Sequence, residues 1–103
     1  MELIETSVFT KQVQTHLSDD EYRALQLALV LRPDGGKVIP GSGGLRKIRW
    51  GRSGTGKHGG LRIIYFWHPD ADRLFLLFLY PKSSQSDLSP TQLRMLRRLV
   101  YND

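Results

Sequence analysis

The sequence contains no cysteine. Disulfides and thiolate metal sites are thereby excluded, and a reducing cytoplasm is the compartment that suits such a chain. Long hydrophobic runs are also missing. The longest unbroken apolar stretch is Leu74-Phe75-Leu76-Leu77-Phe78-Leu79-Tyr80, far short of the about 20 residues a membrane-spanning helix needs. The first residues, Met1-Glu2-Leu3-Ile4-Glu5, are acidic and lead into no apolar region, so they do not read as a signal peptide. Histidine is scarce: His16, His58 and His68 have no metal-like spacing, and no metal is expected. No paired carboxylate and no Ser-His-Asp set stands out.

One further absence is local. Between Gly35 and Tyr65 there is no Asp or Glu, yet seven basic residues occur there: Lys37, Arg46, Lys47, Arg49, Arg52, Lys57 and Arg62. The rest of the chain holds eight basic and ten acidic residues, so the net charge of +5 is the sum of +7 in this segment and −2 elsewhere. A basic patch this concentrated attracts polyanions, nucleic acid above all. Solubility alone does not require segregated charge.

The 103 residues, 40% of them hydrophobic, suit a single domain over residues 1–103. Met1 to Thr6 alternates mildly and reads as a strand. Phe9, Val13 and Leu17 recur at helical spacing. Ser18-Asp19-Asp20-Glu21 is a capping box that opens a second helix, with Tyr22, Leu25, Ala28 and Leu29 as its apolar stripe. Arg32-Pro33 and Asp34-Gly35-Gly36 end it. Three strands are expected next, at Leu45–Trp50, Leu61–Trp67 and Leu74–Tyr80, the last two almost wholly apolar and suited to the middle of a sheet. His68 to Asp72 is the turn of a hairpin. Gly51 to Gly60 is a loop with five glycines, too long for a tight turn. Ser89-Pro90-Thr91-Gln92 starts a last helix with Leu93, Leu96, Leu99 and Val100 on one face and Arg94, Arg97 and Arg98 off it. The order β-α-α-β-β-β-α makes an α+β domain.

Two nucleotide-binding matches fail on context. Gly51 to Lys57 fits the start of a phosphate-binding P-loop, but His58 stands where Ser or Thr must hold magnesium, and the segment leads into a strand instead of a helix. Gly54-Thr55-Gly56-Lys57-His58-Gly59 matches the dinucleotide fingerprint but fails the same test. His68-Pro69-Asp70 matches a cochaperone tripeptide that belongs between helices, whereas here it is a hairpin turn.

The basic segment offers a better constellation. Strand alternation puts Lys47 and Arg49 on one face and Arg46 and Ile48 on the other. Arg62 begins the next strand, and Lys82 follows the strand that Pro81 ends. If these strands pair, Lys47, Arg49, Arg62 and Lys82 converge on one sheet face, within reach of Lys57 and His58 from the glycine loop. Such cations suit RNA cleavage. When a 2′-hydroxyl attacks the adjacent phosphorus, charge builds on oxygens that guanidinium groups bind with a fork of donors. A lysine crowded by other cations gives up its proton more readily and can act as an acid or base. Lys47, Arg49 and Arg62 equally fit plain phosphate clamps, Lys57 also fits a solvated loop residue and Lys82 a strand-end cap, His58 reads as a bystander before a catalyst, and Tyr65, Trp67 and Tyr80 read as core aromatics before base-stacking platforms.

The runs Gly43-Gly44-Leu45-Arg46-Lys47-Ile48-Arg49 and Gly56-Lys57-His58-Gly59-Gly60-Leu61-Arg62-Ile63-Ile64-Tyr65-Phe66 resemble the RelE/HigB family of toxins, most closely its HigB-like branch. Leu79-Tyr80-Pro81-Lys82 and Ser86-Asp87-Leu88-Ser89 extend the resemblance over nearly the whole chain. It implies a RelE-like microbial RNase fold with two N-terminal helices, a small, mostly antiparallel sheet and a C-terminal helix. It implies a toxin that cuts mRNA on the translating ribosome without metal or cofactor. It also implies a cognate antitoxin, commonly of helix-turn-helix type, with operator DNA bound only through the complex. The family's basic strand residues fall on Lys47 and Arg49, its central arginine on Arg62, and the basic residue after the last strand on Lys82. A further Arg and Tyr of RelE fall on Ser83 and Ser89. Charge and resemblance together give Arg62, Lys82 and Lys57 as catalytic residues and Arg46, Lys47, Arg49, Arg52 and His58 as RNA contacts. A non-catalytic RNA- or ribosome-binding protein on the same fold is the alternative. A DNA-reading module is disfavoured because neither N-terminal helix is basic.

Overall fold

The computed structural model describes residues 1–51 and 60–101. Its elements are β1 (Glu2–Glu5), α1 (Ser7–His16), α2 (Asp19–Leu31), β2 (Lys37–Val38), β3 (Arg46–Trp50), β4 (Leu61–His68), β5 (Arg73–Pro81) and α3 (Pro90–Tyr101). A 3-10 turn at Pro69–Ala71 links β4 to β5. The expected α+β order holds, with one addition. The two-residue strand β2 follows the turn that ends α2, and it is too short to leave a hydrophobic pattern.

The helix starts follow from local chemistry. Ser18 Oγ accepts from Glu21 N at 3.1 Å while Ser18 N donates to Glu21 Oε1 at 2.9 Å, the reciprocal capping box read from the sequence. Ser89 and Gln92 repeat it at α3, with Gln92 N to Ser89 Oγ at 3.1 Å and Ser89 N to Gln92 Oε1 at 2.9 Å.

The five strands lie in the order β1-β5-β4-β3-β2. β1 runs parallel to β5, and every other neighbouring pair is antiparallel. Since β1 ends at Glu5, β5 has no strand partner on that side beyond Leu76 among the described residues. Side chains of the first helix region satisfy the exposed edge instead. The Thr6 hydroxyl donates to the Leu77 carbonyl at 2.8 Å and Leu79 N donates to Gln12 Oε1 at 2.7 Å.

The sheet separates two cores. On one face α1 and α2 bring Phe9, Val13, Leu25 and Leu29 against Leu61, Ile63 and Tyr65 of β4 and Leu74, Leu76 and Leu79 of β5. On the other face Leu96 of α3 packs with Leu45, Ile64, Leu77 and Tyr80, and Leu93 and Val100 lie half-buried beside them. Leu99, expected on the apolar face, is instead exposed.

One irregularity governs which side chains share a face. Ile64 pairs with Phe78 but Tyr65 pairs with Leu76, so Leu77 is an extra residue in β5. Leu74 and Leu76 face α1 and α2. Regular alternation would send Phe78 and Tyr80 to that face as well. The bulge shifts the alternation by one, and Phe78 and Tyr80 face α3 instead.

Candidate nucleic-acid interface

Lys47, Arg49 and Arg62 reach one face because β3 and β4 pair in a register that sets Arg49 opposite Arg62 and Lys47 opposite Ile64. Ile64 belongs to the α3-side core, so this face is the α3 side. On β5 the register places Tyr80 opposite Arg62. On β2 it places Lys37 opposite Lys47. Lys82 N donates to the Gly60 carbonyl at 3.1 Å, which carries the β4–β5 ladder one step further. Lys82 itself opens the exposed turn that follows β5, just beyond this end of the sheet. A row of cations thus crosses β2, β3 and β4, and α3 covers the neighbouring part of the same face, from Tyr80 and Ile64 to Phe66 and Phe75 at its far end.

The close approach that lets α3 seat at that end depends on glycine. Gly43 has φ +76°, and a Cβ there would lie 2.9 Å from the Tyr101 ring. The Tyr101 hydroxyl donates to the Gly43 carbonyl, and its ring meets Phe66 edge-on at 5.8 Å.

Arg62 is 7% exposed, so a cation is held nearly buried. Its Nη1 reaches the Leu61 carbonyl at 3.3 Å. Two like charges placed directly opposite on a sheet repel, and Arg49 and Arg62 are so placed. The arrangement is unfavourable until an anion lies between or above them. Part of the need is met internally. Lys47 Nζ binds Asp87 Oδ1 at 2.8 Å, and this hydrogen bond, followed by the charges of Lys47 and Arg62, holds the Asp87 carboxyl below its ordinary range. A cleft of about 460 Å³ lies alongside, lined by Gly35, Lys37, Lys47, Ile48 and Arg49.

The Tyr80 hydroxyl is buried and has no hydrogen-bond partner among the described residues. Burial, and then the Asp87 carboxylate, push its pKa up, with Arg62 opposing. The phenol therefore stays protonated at neutral pH.

Arg46 is not part of the row. Its Nη1 donates to the Asp34 carbonyl at 3.0 Å and the Gly36 carbonyl at 2.8 Å, bracing the turn between α2 and β2. Arg52, Lys57 and His58 lie outside the described residues. Ser89 caps α3, and Ser83 is exposed. Two members of the face escaped the sequence reading of the site. Lys37 was counted only as part of the charge, because β2 is invisible as a pattern. Tyr80 is a core aromatic, as its residue type suggests, but the bulge that turns it to this face is equally invisible in the sequence.

A second groove, about 240 Å³, is lined by Val8, Leu77, Phe78, Gln92, Met95, Leu96 and Leu99 and offers no titratable group. Among the described residues no three His, Asp or Glu side chains gather into a metal-binding cluster, and no helix is long and apolar enough to cross a membrane.

Residues 6–102 match the family described as the RelE toxin of the RelE/RelB toxin–antitoxin system. Among solved structures, the E. coli toxin RelE in its free state, a mutant with two arginines replaced by alanine, is similar. Its TM-score is 0.58 at 16% identity, over 82% of this chain and 86% of that one. At that identity the likeness is one of fold.

Proposed function

The chain belongs to the RelE toxin family of toxin–antitoxin systems, and on that premise we propose that it is an endoribonuclease, a single toxin domain that cuts mRNA on the translating ribosome and so stops translation. Membership of the family implies an antitoxin partner. We take that antitoxin to be a helix-turn-helix protein through which alone the complex meets operator DNA, the site of action to be the cytoplasm, and the chain to be of the HigB-like branch.

The observation that carries this reading is the opposed pair Arg49 and Arg62. The second of them is nearly buried, and a buried cation carries a desolvation cost that a paired anion offsets. An RNA phosphate supplies the missing anion. In the reaction the 2′-oxygen forms a bond to phosphorus, loses its proton, and the bond from phosphorus to the 5′-oxygen breaks as that oxygen takes up a proton. Arg62 and Arg49 stabilise the charge that builds on the phosphorane oxygens, as preorganised donors do. Lys82, and Lys57 from the glycine loop, are the proposed proton carriers, a role that needs no metal. Lys37 and Lys47 follow the flanking backbone, with Arg52 and His58 proposed as further contacts.

The test is to express the chain and its Arg62→Ala variant under tight control and map new mRNA 5′ ends. Growth arrest with in-frame cuts by the wild type alone supports the reading. Arrest without new ends refutes the chemistry and makes the chain a ribosome-binding inhibitor.

A further inference from the structure

Buried polar groups are nearly always hydrogen-bonded, and a lone exception in a well-packed core calls for a reason. The Tyr80 hydroxyl is such an exception: 2% of the residue is exposed and its oxygen has no partner among the described residues. Its surroundings are polar on one side only. The ring lies among Leu45, Ile64, Leu77 and Leu96, with Phe78 at 6.0 Å. Arg62 faces it across the β4–β5 ladder, and Asp87, bound to Lys47, is close enough to influence its charge. The Leu77 bulge is what brings the ring to this face; in a regular strand it would pack beneath α1 and α2.

We propose that the Tyr80 hydroxyl is a catalytic hydrogen-bond donor, contacting a non-bridging oxygen of the scissile phosphate beside Arg62 once RNA displaces the Asp87 carboxylate. The inference rests on the ribonuclease reading above and adds a residue to it. No proton is transferred by this group. It donates a hydrogen bond that strengthens as charge builds on the phosphorane oxygen, and it remains a phenol throughout. A donor left unpartnered in the free protein is preorganised, because it exchanges no existing hydrogen bond when the phosphate arrives.

Tyr80→Phe tests this, since it keeps the ring and removes only the oxygen. Cleavage of an mRNA on purified translating ribosomes is measured for wild type, Arg62→Ala and Tyr80→Phe, together with urea unfolding and the affinity for an RNA carrying a 2′-deoxy residue at the cut site. The expected result for Tyr80→Phe is a fall of about a hundredfold in the cleavage rate, affinity within about threefold of wild type, and an unfolding midpoint equal to or above it. Wild-type cutting that Arg62→Ala abolishes and Tyr80→Phe leaves within about threefold overturns this inference alone. A Tyr80→Phe protein that loses stability overturns it too, because the hydroxyl then has a partner in the fold. Absence of cutting by the wild type overturns the ribonuclease reading and this inference with it.

Discussion

Replacing Tyr65 by phenylalanine removes one oxygen from the middle of the molecule, and the structure sets the consequence. Tyr65 is wholly buried. Its hydroxyl accepts from Gly36 N at 2.8 Å and donates to the Pro33 carbonyl at 2.8 Å, closing the turn from α2 to β2. Gly36 is itself buried, so its amide is out of reach of water when the hydroxyl is removed. The Pro33 carbonyl is at a half-buried residue and has more freedom. A stranded buried donor costs about 1–3 kcal/mol. With the carbonyl largely rescued by solvent, the total expected loss is about 2 kcal/mol. For a domain near this size each kcal/mol moves the melting temperature by about 4–8 °C, so a fall of about 8–16 °C follows. Urea unfolding followed by circular dichroism measures it, and an unchanged slope with denaturant confirms that the midpoint reports stability. The comparison with Tyr80→Phe sharpens the argument. Both rings are buried on central strands, but among the described residues only the Tyr65 hydroxyl is bonded, so only one substitution is costly. A Tyr65→Phe loss below about 0.5 kcal/mol, or equal losses for the two variants, refutes the reasoning.

Four other expectations follow. Lys37→Ala and Arg49→Ala each weaken single-stranded RNA binding and each reduce the slope of log affinity against log salt by about 0.7, the value for one phosphate contact, which binding titrations from low to high salt resolve. Arg46→Ala lowers the unfolding midpoint by loosening the Asp34 and Gly36 carbonyls it holds, with RNA affinity at fixed salt changed little; a large loss of affinity in a well-folded variant contradicts the assignment. Asp87→Asn tightens RNA binding, because it frees Lys47 and removes a carboxylate paired on the basic face; since Lys47 holds the wild-type carboxyl below its ordinary range, the gain persists through neutral pH and closes only in strong acid. Tyr22→Phe flattens alkaline unfolding. Burial and the Glu5 carboxylate raise the Tyr22 phenol well above its ordinary pKa, so stability is complete below about pH 10, where the unfolded phenol ionises, and is lost as pH climbs above it; an identical pH slope in the variant refutes the assignment.

The elements were legible in the sequence wherever a side chain announces its own backbone. Ser18 with Glu21 and Ser89 with Gln92 mark helix starts whose hydrogen bonds are local, so four residues suffice to read them. The alternation of Arg46, Lys47, Ile48 and Arg49 divided β3 correctly between its two faces, because β3 lies toward the sheet margin and its faces differ in chemistry. β2 left no trace, since two residues form no period and its pairing with Lys47 and Arg46 depends on a turn braced from elsewhere by Tyr65 and the Arg46 side chain.

The site was half legible for the same physical reason. Arg62 and the basic strand residues stand out by charge, and opposition across a ladder is enough to gather them. Tyr80 does not. In Leu74-Phe75-Leu76-Leu77-Phe78-Leu79-Tyr80 both faces of the strand are apolar, so the residue types carry no record of which side chain points where. A bulge in such a run costs no hydrophobic burial, because shifting the alternation merely exchanges one apolar residue for another at every position except the last. There the exchange has a chemical consequence: it takes a phenol from beneath α1 and α2 and sets it opposite Arg62. The Thr6 hydroxyl on the Leu77 carbonyl and Gln12 on the Leu79 amide hold the irregular stretch in place. The position of a candidate donor is therefore fixed by polar groups on the far edge of β5, which no reading of the basic segment by itself would connect to it.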